Sequence, residues 1–157
     1  MHGVGSHANA YERAAKLLRQ ELTSLPSNVE AYTQAGFDRW HKDACDSLCN
    51  VYSRAGYKRF FIGQAQKWVN MALKYVYVLG EARLPGYLRL YHLCHVPIDN
   101  ILLGKTEFQG IGKFKVAWSR IQDYSEYLAF QVSVREHFSG AAPLAVEFHV
   151  WQRPNAA

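Results

Sequence analysis

His41, Cys45 and Cys49 recur at four-residue steps, so one helical face would carry an imidazole and two thiols. Those groups are good zinc ligands. The same face also carries Trp40, Ala44 and Leu48, and no C-x2-C knuckle accompanies it. A buried cysteine behaves as a small hydrophobe, so this face reads as core and no metal site is expected. His92, Cys94 and His95 suggest a Cys-His nucleophile. Adjacent helical residues point apart, however, so Cys94 and His95 do not face each other and structural roles are expected. Asp99 stands in His95-Val96-Pro97-Ile98-Asp99-Asn100-Ile101-Leu102, after a loop and at a helix beginning. A carboxylate there caps free backbone N–H groups. No Walker loop, GxGxxG, HExxH or GxSxG motif occurs, and Gly110-Ile111-Gly112-Lys113 is too short to cradle a phosphate.

The elements that would position these residues follow from apolar periodicity. Positions 9–24 form a first helix through Tyr11, Ala14, Leu18 and Leu22, ended by Pro26. Ser27 and Glu30 have the spacing of a capping box for a short helix to Ala35, which Gly36 would break. Positions 37–55 make the clearest amphipathic helix, with Phe37, Trp40, His41, Ala44, Cys45, Leu48, Cys49 and Tyr52 on one face. Positions 63–79 make a central helix, apolar almost all round and so expected to be buried. Its polar remainder, Lys67, Asn70, Lys74 and Tyr77, forms a narrow stripe that reads as a solvated seam. Short helices are expected at 87–94 and 97–103. Glycine-rich 105–117 reads as a long loop or a small hairpin. Asp123 and Glu126 cap a helix to His137, and 143–151 fits a short helix or a strand. The sum is a single all-α domain of about seven or eight helices over 9–153, behind a flexible tail at 1–8.

Composition narrows the function classes. The chain has 157 residues, 49% hydrophobic and 14% aromatic, which supports one real core and argues against disorder. The apolar run at 63–79 is broken by Lys74 and is too short to span a bilayer, so no membrane partner is expected. The first ten residues carry no apolar signal core, and three cysteines without paired spacing suit a reducing compartment. The expectation is a cytoplasmic protein. Net charge is +5, and it is not evenly spread. Between Arg54 and Ile98 stand Arg54, Lys58, Arg59, Lys67, Lys74, Arg83 and Arg89, against Glu81 alone. A basic stretch in an otherwise balanced chain points to a polyanion such as nucleic acid.

The order of a long helix, Leu84-Pro85-Gly86, and then Val96-Pro97-Ile98-Asp99-Asn100-Ile101 resembles the helix-hairpin-helix DNA glycosylases over residues 62–103. In that family an LPG hairpin precedes the segment bearing the catalytic aspartate. The resemblance implies Asp99 as the catalytic aspartate, stabilising a cationic sugar or activating water, and Gly86 as the point where backbone amides approach a DNA phosphate. Arg83, Arg89, Lys67 and Lys74 would supply charge, and Trp68, Tyr87 or Tyr91 a stacking ring. Two features depart from the family: Gly86 is followed by Tyr87 rather than a second glycine, and the spacing from hairpin to aspartate is short. No lysine follows Gly86 and the iron–sulfur cysteines are missing, so neither a lyase role nor a cofactor is expected. Two other readings stand beside it. One is a non-catalytic protein-interaction or homo-oligomerisation domain. The other is an enzyme acting on a small substrate through Asp99 with His92 or His95.

Overall fold

Two faces organise the molecule, and the longer is the apolar face of α2 (Gln34–Arg54). Phe37, Trp40, His41, Ala44, Cys45, Leu48 and Tyr52 recur at helical spacing, and all are buried. The helix starts earlier than expected because Thr33 caps it, its side chain accepting from the Gly36 N–H. Gly36 is therefore not a breaker. It lies inside the first turn, where an added Cβ would fall 1.6 Å from the Glu30 carbonyl oxygen, so only glycine allows the helix to pack on that backbone.

The computed structural model describes residues 4–153. All regular structure among them is helical: α1 (Val4–Ser24), α2, α3 (Ile62–Leu79), α4 (Asn100–Leu103), α5 (Tyr124–His137) and α6 (Pro143–Trp151). Five short 3-10 turns join them, at Leu25–Ser27, Val29–Tyr32, Leu88–Leu93, Thr106–Phe108 and Trp118–Arg120. The all-α architecture read from periodicity is the observed one. α1 begins at Val4, ahead of the boundary at residue 9. The Ser27–Glu30 pair does not cap a helix: that stretch winds as two 3-10 turns without a side-chain cap. Segment 105–117 holds one 3-10 turn and no strand, and 143–151 is helical. No helix among the described residues is long and apolar enough to cross a membrane.

The second organising face belongs to α3, and it differs from the sequence expectation. Ile62, Gly63, Ala65, Gln66, Val69, Asn70, Leu73 and Val76 point inward. Met71 and Trp68 are only half-buried, while Tyr75, Val78 and Leu79 are exposed. The polar stripe goes inward instead. Asn70 is fully buried, Tyr77 donates to the Tyr87 carbonyl, and Lys67 and Lys74 both form ion pairs. The physical reason is that every inward polar group finds a partner, so its burial costs little. Asn70 Nδ2 donates to Gln66 Oε1, the Val96 carbonyl and the Tyr127 hydroxyl. Asn70 Oδ1 meets His41 Nε2 at 2.9 Å.

That polar seam fixes the extended segment 95–99. Gln66 Oε1 accepts from the Ile98 N–H at 3.1 Å while its Nε2 donates to the Ile98 carbonyl at 2.9 Å. Gln131 of α5 does the same to Val96, at 3.0 and 2.9 Å. Two buried side-chain amides thus take the place of neighbouring strands and satisfy the backbone of a segment that has none.

Candidate functional site

Asp99 ends the braced segment and starts α4. Its Oδ1 accepts from the Leu102 N–H at 2.8 Å, the capping role its position implied, and its Oδ2 accepts from Lys67 Nζ at 2.7 Å. The ion pair is half-open, with side-chain exposures of 34% for Lys67 and 11% for Asp99. Lys67 also lies over the Trp118 ring, its nitrogen 5.3 Å from the ring centre. Asp99, Lys67 and Trp118, from three separate segments, therefore meet at one place.

The other sequence-derived candidates lie elsewhere. Lys74 is turned inward to Glu147 Oε1 at 2.7 Å, and its ammonium sits over the rings of Phe148 and Trp151. Arg83 and Arg89 are exposed beyond the far end of α3, a helix about 27 Å long at 1.5 Å per residue. Gly86 has a left-handed backbone (φ 97°) and packs on Pro26. Its N–H donates to Glu81 Oε1, and the Leu88 N–H donates to Glu81 Oε2 at 3.1 Å. An internal carboxylate thus already fills the place a phosphate would take at this turn. The element after Gly86 is a six-residue 3-10 turn, Leu88–Leu93. Tyr87 is buried, its hydroxyl donating to the Leu22 carbonyl, and Tyr91 packs edge-on to Tyr77. The structure brings Lys67 to Asp99 and leaves Lys74, Arg83, Gly86 and Arg89 apart from them.

The histidines and cysteines belong to the interior. His41 Nδ1 lies 2.8 Å from the Tyr124 hydroxyl, and Cys45 Sγ 3.7 Å from the same nitrogen. Burial, then electrostatic coupling to the neighbouring imidazole of His95, which disfavours two protonated rings side by side, holds His41 well below the usual 6.5. His95 is also lowered, chiefly by burial, so at neutral pH it is an uncharged hydrogen-bond partner of Asp38 rather than a cation. Burial tends to raise the Asp38 carboxyl, but hydrogen bonds from His95, Gln34 and Arg135 win and bring it to about 2. Burial pushes the Cys94 thiol up to about 12, which makes it a poor nucleophile. His92 is exposed and separate from that interior. No group of three metal-ligating side chains occurs among the described residues.

Around Lys67 and Trp118 the surface is concave. Four adjoining depressions share their walls. The largest, about 540 Å³, runs along α3 from Gln64 to Tyr75 and includes Phe60, Lys67, Trp68, Met71 and Trp118. Trp118 and Val116 lead into the second, with Asn100, Lys113 and Phe114. Gln64 and Arg59 join the third and fourth, which add Phe61 and Arg120, then Tyr57 and Lys58. Five basic side chains line this surface, Lys58, Arg59, Lys67, Lys113 and Arg120, and no carboxylate does. Among the described residues only Lys67 of the five has an ionic partner.

Local backbone geometry sets the wall. Gly63, in the first turn of α3, donates its N–H to the Ile121 carbonyl at 3.0 Å. An added Cβ there would fall 1.8 Å from the Trp118 carbonyl oxygen, so the 3-10 turn Trp118–Arg120 lies directly on the helix because residue 63 is glycine. Sequence reasoning picked out Lys67, but not Trp118, Arg120 or Lys113. The signal available was a tryptophan and an arginine in a stretch without amphipathic periodicity. No family model, curated protein or solved structure matches this chain, so its function rests on the geometry of this surface.

Proposed function

We propose that this chain is a nucleic-acid-binding domain of the cytoplasm that holds its ligand on the concave face beside the N-terminal half of α3. One observation carries the reading: five basic side chains interleave with aromatic rings over a connected surface with no carboxylate in its lining. The cations would take phosphates and the rings would take bases. Binding rather than catalysis fits Asp99. Both of its oxygens are engaged, one as the cap of α4 and one by Lys67, which leaves no free carboxylate for base or sugar chemistry. The charges at Arg83 and Arg89 stand outside this reading, because the amides of the Gly86 turn are already taken by Glu81.

The test is anisotropy of a labelled oligonucleotide in dilute salt. R59E/R120E is expected to weaken binding at least about tenfold, and R83E/R89E to leave it within about twofold. Equal losses from the two variants would place the ligand elsewhere. A second reading, protein–protein contact, draws on Val78 and Leu79, 64% and 47% exposed at the other end of α3. Concentration-dependent sedimentation, abolished by V78E, would favour it.

A further inference from the structure

Resting on that reading, we infer that the ligand is a single strand, with a base stacked on Trp118. Three observations on the surface lead there. The rings in its walls, Trp118, Tyr57, Phe60, Phe61, Phe114 and Tyr75, line depressions rather than a ridge. A duplex keeps the faces of its bases stacked and out of reach, so only an unpaired strand can offer a face to rings set in hollows.

The outer side of α3 also fails as a groove reader. Over the largest depression it presents Gln64, Trp68, Met71, Ala72 and Tyr75, with Lys67 turned to Asp99 and the Gln64 side-chain oxygen turned back to accept from the Phe61 N–H. Reading base edges in a major groove takes a row of Arg, Asn or Gln side chains on an exposed helix face, and here Gln64 is the one such residue among apolar and aromatic neighbours.

Finally, the depressions form a track. Lys113 stands in the second depression and Lys58 in the fourth, with Lys67, Arg120 and Arg59 in those between. Trp118 is a wall common to two of the hollows, and only the first and larger of them is also lined by Lys67. Lys67 holds one side of that ring while Asp99 holds Lys67, which fixes the tryptophan before any ligand arrives. Preorganised rings lose little freedom on stacking.

The experiment compares a labelled mixed-sequence strand, the same strand annealed to its complement, and polyglutamate as a competitor without bases. The wild-type chain, W118A, W118F and Y75A are titrated with each. The single strand is expected to bind about tenfold more tightly than the duplex, with polyglutamate competing weakly. W118A is expected to lose about tenfold for the single strand and little for the duplex, and W118F to keep most of the affinity. Tyr75 is 61% exposed, so Y75A tests stacking in the same hollow without risk to the fold. A duplex bound as tightly as the strand, or full affinity retained in both W118A and Y75A, overturns the inference and leaves the nucleic-acid reading standing. If neither nucleic acid binds in dilute salt, the reading itself falls.

Discussion

Replacing Lys74 with methionine is expected to cost far more stability than a surface lysine would. Glu147 is 1% exposed. Its Oε1 lies 2.7 Å from Lys74 Nζ, and its Oε2 has no hydrogen-bond partner among the described residues. Lys74 is thus the group that balances this buried charge, and its ammonium also sits 4.9 Å from the centre of the Trp151 ring. Removing one partner of a buried pair typically costs about 3–5 kcal/mol, because the other is left charged and desolvated. At about 2–4 °C per kcal/mol for a chain of this size, the melting midpoint of K74M should fall by roughly 6–20 °C. The double variant K74M/E147L removes both charges and is expected to recover most of that loss.

The pH dependence gives the prediction its sign. Burial raises the Glu147 carboxyl above the usual 4.5, and Lys74 restrains the rise. The folded state therefore binds this proton more tightly than the unfolded chain. Between 4.5 and the folded value, the Glu147 contribution weakens as pH rises and recovers as pH falls. K74M releases the restraint and widens that window, so its deficit against wild type should shrink on acidification. His41 and His95 act in the opposite sense: both are depressed below 6.5, and their contribution is lost as pH falls below that value. The difference between variant and wild type at each pH cancels them. Urea denaturation of the two proteins from neutral to mildly acid pH measures it. A deficit under about 1 kcal/mol at neutral pH, or one that does not change with pH, would refute the argument.

Two further outcomes test the positioning of the site. G63A should destabilise the chain by about 2 kcal/mol or more and weaken oligonucleotide binding, because a methyl 1.8 Å from the Trp118 carbonyl oxygen must push the 118–120 turn off α3. G110A, with open space around it, should change stability by no more than about 0.5 kcal/mol in the same melt. D99A should cost about 1–2 kcal/mol through loss of the α4 cap, measured by urea denaturation. D99N keeps an acceptor for the Leu102 N–H and should recover much of it.

The helices with one clear apolar face were legible in the sequence. α2 buries the face that its spacing outlined, and α5 starts behind Asp123, whose side chain accepts from the Ser125 N–H. What misled was the polar stripe of α3. Periodicity cannot separate a solvated seam from a satisfied interior one, because the difference lies in partners remote along the chain. Asn70 is satisfied by Tyr127 and Val96, and Lys74 by Glu147, 73 residues on. Gly36 misleads as a helix breaker for a similar reason. A glycine in a helix reads as a weakness until the backbone that crosses it is known. The site was half legible: Lys67 and Asp99 could be named, but not their meeting with Trp118, which depends on both glycine contact and the path of segment 95–99.

That path ties the interior to the surface. Gln66 and Gln131 clamp Ile98 and Val96 from two helices, and the clamp delivers Asp99 to Lys67. The clamp is in turn continuous with Asn70, Tyr127, His95 and Asp38. A network this completely paired has few alternative arrangements, since shifting one member strands another as a buried polar atom without a partner. The half-open Lys67–Asp99 pair is therefore held from below by groups that never reach solvent. On the proposed reading, a ligand on the concave face would meet a lysine and a tryptophan positioned by the core, with the polar seam of α3 as their scaffold.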